Sequence, residues 1–388
     1  MSSPHTEDKT LWYYNPEARF WTTTAQASDT IFKFHQSLVP EHSSTKLTEL
    51  PSVAAELQVS RVFIKDESTR MGLPAFKVLG ASWGVFHTLC QRWGLDMNTT
   101  TIDVLRKHAA EDKAGPIELI AATAGNHGRA VARMANILNI HSRIYVPEAT
   151  TQRSCDYIAS EGAEVIVVPG SYEAAVEVAK VAVQKAGSKA IHIQDVAWDG
   201  YESIPMHIVD GYSTLFREID EQLAQANSPS ASLVAIPVGC GVLGHAGVRH
   251  YRSSERNDPP PHILTVEPDN AACLLHSLKS NTLLSIDTGR NIMPGMTGGQ
   301  VSFLSWPDLQ HGVDAAITVN DANVDKAVHD LAALGVSSGP CGASTLAALR
   351  TLRSSAGPMK YQGLDIGKDS VIVLVSTEGN FTYLGEGK

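Results

Sequence analysis

Apolar positions along this chain fall into two periods. Short, nearly continuous apolar runs at 62–65, 117–122, 143–146, 164–168, 190–194, 233–237, 263–267 and 371–376 read as buried strands. Between them lie stretches with the amphipathic period of a helix, among them 129–138, 172–186 and 212–226. Strands that alternate with helices in this way predict right-handed crossovers and mostly parallel sheets with helices on both faces. Ligands of such sheets bind beyond the carboxyl ends of the strands. Segments 98–101, 227–231 and 253–261 read as surface loops, and there are no internal repeats or long low-complexity stretches.

Three segments near predicted strand ends carry candidate chemistry. The first, DESTRMGLPAFKVLGA at 66–81, places Lys77 in a small-residue loop ahead of an apolar run, flanked by Phe76, Val78 and Leu79. An amine there is partly desolvated, as a lysine that forms an imine with an aldehyde cofactor must be. The second, AATAGNHGRAVA at 121–132, is a Gly-Asn-His-Gly turn between a strand and an amphipathic helix. The third, VAIPVGCGVLGHAGV at 234–248, runs from a buried strand into Gly239, Cys240, Gly241, Val242 and Leu243 and then into a helix. Glycines let successive N–H groups converge on an anion, and the helix N-terminus adds a favourable dipole, which suits a phosphate monoester. The loop lacks the Lys-Ser/Thr ending of a nucleoside-triphosphate loop and lies too deep in the chain for an N-terminal dinucleotide fingerprint.

The order of lysine loop, Gly-Asn-His-Gly turn, glycine-rich loop and late Ser-Thr-Glu-Gly resembles the fold-type-II pyridoxal-phosphate enzymes, the group of tryptophan synthase β and the serine and threonine dehydratases. Within that group the chain is most similar to the diaminopropionate ammonia-lyases. The likeness extends to QDVAWDGYESIP at 194–205, Gly211-Tyr212, VEPDN at 266–270, NIMPG at 291–295, WPDLQHGVD at 306–314 and VSTEG at 375–379, together covering roughly residues 10–380. The resemblance implies a two-lobed, tryptophan-synthase-β-like α/β fold of mostly parallel twisted sheets. A large cofactor-binding domain would comprise residues 1–83 and 193–388, and a small domain residues 84–192. It also implies a homodimer.

Composition sets bounds on this reading. A chain of 388 residues exceeds one comfortable core, so two lobes are expected. Its 43% hydrophobic and 19% charged residues describe an ordinary globular protein. A formal net charge of −10 argues against nucleic acid or an anionic membrane as partner; the partner that the resemblance implies is a small-molecule amino acid. No apolar stretch approaches a membrane span and MSSPHTEDKT has no signal-peptide core, so a cytoplasmic address is expected. Residues beyond Gly379 are too few for a second regulatory domain. The five cysteines lack CxxC or Cys/His spacing, which fits reduced thiols and no metal site.

The resemblance assigns roles as follows. An amino acid displaces Lys77 from the cofactor imine, and the freed amine takes the α-proton while the ring holds the negative charge. Loss of a β-leaving group then gives an oxo acid and ammonia; for 2,3-diaminopropionate the products are pyruvate and two ammonia molecules. Asn126 would bond the cofactor's 3-oxygen, the amides of residues 239–243 its phosphate, and Ser376 or Thr377 its ring nitrogen. A hydroxyl at that nitrogen leaves it largely unprotonated, which favours elimination over reactions that need a long-lived carbanion.

Two positions depart from the ammonia-lyase pattern. Beside Thr123, Ala124 stands where the family carries an acid, its natural base for the substrate face opposite the lysine, so use of L-substrates alone is expected. Pro340, in SGPCGAS at 338–344, stands where a glutamate near the cofactor is expected. A buried second ammonium on the substrate wants a paired anion, and Asp195, Asp199 and Glu378 are the remaining acidic candidates. For Asp195 and Asp199 a solvated or capping carboxylate is an equal reading. His127 reads as a satisfied turn histidine and Cys240 as a small packed residue. Three functions stay open: a β-eliminating ammonia-lyase acting on 2,3-diaminopropionate or a relative such as serine or threonine, a β-replacement synthase of a specialised pathway, and a cofactor-binding protein without turnover.

Overall fold

The computed structural model describes residues 10–24, 28–39, 44–123, 125–354, 363–380 and 383. Its strands are β1 (Trp12–Tyr14), β2 (Lys46–Glu49), β3 (Arg61–Asp66), β4 (Glu118–Ala122), β5 (His141–Pro147), β6 (Glu164–Val168), β7 (Ala190–His192), β8 (Leu233–Pro237), β9 (His262–Pro268), β10 (Ala315–Val319) and β11 (Val371–Ser376). They form a seven-stranded sheet, ordered β1-β10-β9-β8-β11-β3-β2, and a four-stranded sheet, ordered β6-β5-β4-β7. All pairings are parallel except those of the two edges of the larger sheet, β1 with β10 and β2 with β3. The fold is therefore α/β with mostly parallel sheets. The central strands β8, β9 and β11 are buried at every residue, which is why they read as continuous apolar runs.

Three strands were not legible as such. The edge strands β1 and β2 are half-exposed or exposed along their length; β1 is only three residues long, and β2, KLTE, carries no apolar run. In β10, AAITV is fully buried, but a short alanine-rich run does not distinguish strand from helix. The expected strand at 190–194 is shorter than its apolar run: its ladder with β4 ends at His192.

Two compact units emerge among the described residues. One comprises those of 1–26, 45–68 and 216–388 and holds the seven-stranded sheet; the other comprises those of 27–44 and 69–215 and holds the four-stranded sheet. Residues 27–44, 69–83 and 193–215 thus group with the smaller sheet, whereas the sequence expectation placed them with the larger domain. No described helix is long and apolar enough to cross a membrane.

Inside the second unit, the helix Lys77–Trp93 meets the first half of the helix Ser203–Gln225 at backbone distance. A Cβ on Gly211 would stand 2.6 Å from the carbonyl oxygen of Leu79, and one on Gly80 would stand 2.6 Å from Tyr212 Cε1. Buried His35 fastens the same place, its ring nitrogens 2.7 Å from Thr214 Oγ1 and 3.0 Å from Leu79 O. The Gly211-Tyr212 pair singled out in the sequence is accordingly a close-approach site. Gly211→Ala should lower the free energy of urea unfolding by about 1–3 kcal/mol through overpacking against a backbone that cannot yield. Gly367→Ala, whose Cβ would meet nothing within 4 Å, should change it by less than about 0.5 kcal/mol.

Candidate active site

In the smaller sheet's unit, Lys77 is the first residue of the helix Lys77–Trp93 and not part of a loop. The chain reaches it through buried Met71, held at φ 50°, and Gly72 at φ 73°, with Arg133 Nη1 donating to Met71 O at 3.1 Å. The Lys77 side chain is 20% exposed, and its Nζ lies 2.7 Å from Asp195 Oδ2 and 5.3 Å from the Phe76 ring centre. Burial by itself pushes the Asp195 carboxyl up, but the Lys77 ammonium outweighs that and holds it well below the usual carboxylate range. Asp195 is thus a buried, ionised partner of the lysine, neither solvated nor a helix cap. Asp199 is exposed.

His127 sits in the first turn of the helix Asn126–Leu138. Its Nε2 lies 2.9 Å from Ile193 O. A carbonyl oxygen only accepts, so Nε2 carries the proton. Nδ1 then presents its lone pair 3.9 Å from Asp195 Oδ2. Burial drives this imidazole's pKa down, so it is neutral. Thr123 is buried at the end of β4, and its Oγ1 accepts from Gly125 N at 3.1 Å, which shapes the turn that opens the helix at Asn126. A side chain on Gly128 would collide with Thr123 Cγ2 at 2.2 Å, so this glycine is required by the threonine packed over it. Ala124 lies outside the described residues.

Gln194 and Tyr201 were not singled out as site residues, yet they set this arrangement. Where the backbone leaves β4 after Ile193, the Gln194 amide replaces the lost ladder: Oε1 accepts from Ala122 N at 3.0 Å and Nε2 donates to Ala122 O at 2.9 Å. The available signal was a glutamine inside an apolar strand pattern.

In the larger sheet's unit, β8 runs into Gly239 and Cys240, and Gly241, at φ 83°, precedes the helix Val242–Tyr251. Gly239 is fixed from behind: a Cβ there would stand 2.5 Å from Gly295 O, so the NIMPG segment is the loop's backing. Cys240 is partly exposed, and buried Cys273 Sγ donates to Gly239 O at 3.6 Å. Glu267, missed in the sequence although it lies in VEPDN, accepts from Leu274 N at 2.7 Å and Leu275 N at 2.8 Å. It anchors the helix Cys273–Ser280 behind the loop, and burial pushes its carboxyl up to about 8.

At the end of β11, Ser376 Oγ donates to Ser338 Oγ at 2.7 Å. Thr377 Oγ1 is buried and makes no hydrogen bond to any described residue. Pro340 is buried at the first position of the helix Pro340–Ser354, where its missing N–H costs nothing. A Cβ on Gly339 would stand 3.1 Å from Glu378 Oε1, and the same carboxylate bonds the Cys341 thiol, which burial and this negative neighbour push well up. An acid therefore stands at residues 339–341 even though position 340 is proline.

These residues fit pyridoxal phosphate by the chemistry of their donor sets. The loop at 239–243 offers glycine-opened backbone at a helix N-terminus, Thr377 offers a buried hydroxyl whose proton is uncommitted, and Lys77 offers an amine set beside a counter-ion. The glycine loop follows β8 and Thr377 follows β11 at their carboxyl ends, and Asp195, the partner of Lys77, follows the carboxyl end of β7.

A pH test follows from His192, buried at the end of β7, whose imidazole burial and the nearby Lys180 ammonium push down to about 4. In the unfolded chain it titrates near 6.5, so it binds a proton there before it does in the fold. Its contribution is full above about 6.5 and is lost as pH falls toward 4. Between pH 7 and pH 5 it should remove about 2 kcal/mol. Urea titrations of His192→Phe should show a correspondingly flatter dependence than the parent chain over that interval.

Comparison with known proteins agrees with this geometry. Residues 38–377 match the family model described as pyridoxal-phosphate dependent enzyme. The diaminopropionate ammonia-lyase of Salmonella typhimurium is 32% identical over 363 residues, 90% of this chain and 88% of that protein. Its Escherichia coli counterpart is 30% identical over 357 residues, 90% of this chain and 87% of that protein. The crystal structure of the Escherichia coli enzyme in complex with D-serine superposes with a TM-score of 0.84 at 27% identity, covering 96% of this chain and 94% of that one. The chain belongs to the pyridoxal-phosphate-dependent enzymes, as a carbon–nitrogen lyase of the diaminopropionate ammonia-lyase type, and its cofactor is pyridoxal phosphate.

Proposed function

We propose that this chain eliminates ammonia from L-2,3-diaminopropionate, or a similar L-β-substituted amino acid, to give pyruvate and ammonia. The observation that carries the reading is Lys77 Nζ held 2.7 Å from a buried, ionised Asp195. Bound pyridoxal phosphate supplies an aldehyde for covalent capture of an amine and a ring that spreads negative charge away from the adjacent carbon. The amides of Gly239, Cys240, Gly241, Val242 and Leu243 would hold the phosphate. Thr377 would donate its uncommitted proton to the ring nitrogen, because the Ser376 proton is spent on Ser338. Asn126, at a helix start, would orient the ring through its 3-oxygen. In its neutral form Lys77 would take the α-proton, and the ammonium so formed is the species that Asp195 stabilises.

Of the acidic candidates for a second substrate ammonium, Asp195 is committed to Lys77 and Asp199 is exposed, so Glu378, at the end of β11 beside Cys341, is the residue assigned to that contact. With alanine at position 124, no carboxylate there serves the opposite face of the substrate. The Escherichia coli relative holds D-serine in its crystal structure; this chain is proposed to act on L-isomers only. We assign the enzyme to the cytoplasm as a homodimer. The missing acid at position 124 also favours a second reading, a β-replacement synthase in which a nucleophile intercepts the intermediate.

A coupled pyruvate and ammonia assay on the purified holoenzyme decides between these. With racemic 2,3-diaminopropionate, half the substrate should be consumed, and complete consumption overturns the L-restriction. Lys77→Ala should lower kcat/KM by roughly 10²–10⁴-fold. A new amino acid appearing at the expense of pyruvate when thiols or amines are added makes the synthase reading the correct one.

A further inference from the structure

We infer that Tyr201 is a positioning residue for the Lys77–Asp195 pair, acting through the backbone of residues 192–194; the inference rests on the lyase reading above. In the four-stranded sheet β7 is an edge strand and, among the described residues, pairs with β4 alone. Successive residues of a strand point their N–H and C=O groups to opposite sides. Ile193 faces inward: its N–H donates to Ile120 O at 2.7 Å and its carbonyl takes the His127 proton at 2.9 Å. His192 and Gln194 face outward, where no strand follows. There the Tyr201 hydroxyl donates to His192 O at 2.6 Å and accepts from Gln194 N at 2.9 Å. One side-chain oxygen thus closes the outer edge as a neighbouring strand would.

Closing that edge fixes three things at once. The next residue is Asp195, so the brace sets where its carboxylate meets Lys77. The Ile193 carbonyl fixes the His127 tautomer and so turns a lone pair, not a proton, toward Asp195. The carboxylate's charge is then directed to Lys77 alone of these two side chains. The Gln194 amide, seated by the same brace, holds Ala122, one residue ahead of Thr123 and the turn that leads to Asn126.

Tyr201 is itself held rigidly. Its ring stacks on Trp198 at 4.2 Å and 14°, and Lys180 Nζ lies 4.3 Å from the centre of the Trp198 ring. Burial and the negative Asp195 keep the phenol protonated, so it remains a donor across the working range. None of these contacts places Tyr201 on Lys77, and its influence passes through the main chain.

The test is a pH titration of the bound-cofactor absorbance, recorded with kcat and KM, for the parent holoenzyme, Tyr201→Phe, Asp195→Asn and the double variant. Loosening Asp195 weakens its hold on a proton at Lys77, so Tyr201→Phe should lower the titration midpoint by about one unit. It should also reduce kcat roughly ten- to a hundredfold with KM little changed. In the Asp195→Asn background, Tyr201→Phe should shift the midpoint no further, because the brace acts through that carboxylate. A Tyr201→Phe enzyme that melts lower yet titrates like the parent overturns the inference, as do shifts that add in the double variant. If Tyr201→Phe does not fold, Trp198→Leu, which removes the stack and leaves the hydroxyl, takes its place: a lowered midpoint supports the brace and an unchanged one overturns it. A parent protein that shows no cofactor band when supplied with pyridoxal phosphate refutes the lyase reading instead.

Discussion

A buried carboxylate beside a lysine ammonium is the constraint around which the smaller sheet's unit is arranged. Neither charge is tolerable alone at that depth, since an unpaired buried ion costs several kcal/mol. The pair must also be held in place, because a lysine free to swing cannot serve a reacting carbon. The surrounding structure supplies that hold from both sides. On the lysine side, Gly80 and Gly211 bring two helices into backbone contact and His35 fastens them. On the aspartate side, the peeled end of β7 is tied by Tyr201, Gln194 and His127. The neutral imidazole and the protonated phenol both follow from burial, and both leave Asp195 as the anion facing Lys77.

The larger sheet's unit meets a different demand, which is to present bare backbone to an anion. The glycine loop can lie open in front because it is packed behind: Gly239 against Gly295, Gly295 against Cys341, and the helix Cys273–Ser280 pinned by Glu267. Motifs scattered over 266–341 are in this sense one structural object. The hydroxyls at the end of β11 divide their labour by hydrogen bonding. Ser376 is consumed by Ser338, and Thr377 keeps its proton available.

The two departures from the family pattern have different physical meanings. Pro340 begins a helix at the one position where a missing N–H is harmless, and Glu378 brings a carboxylate to the same helix end from another strand, so negative charge is kept where the sequence suggested its loss. Ala124 replaces a proton-transferring group with a methyl, and in the proposed mechanism this narrows the stereochemistry while leaving the lysine's chemistry intact.

The sequence by itself determined the fold class, eight of the strands that pair in parallel and the lysine, turn and glycine-loop segments, because each is written in local terms: a strand of a parallel sheet is a continuous apolar run, and an anion loop is a cluster of glycines before a helix. The edge strands β1 and β2 escaped it, since β1 is only the three residues Trp12–Tyr14 and β2, KLTE, is largely polar. The partners of Asp195, Glu378, Ser376 and Gln194 were decided by tertiary structure alone. Lys77 and Asp195 are 118 residues apart, Gln194 and Ala122 are 72 apart, and Ser376 and Ser338 are 38 apart. A carboxylate in a sequence looks the same whether it will cap a helix, meet solvent or neutralise a lysine. Only the folded chain fixes which cation lies within 3 Å of it and how much water is excluded, and those two quantities set its charge and its role.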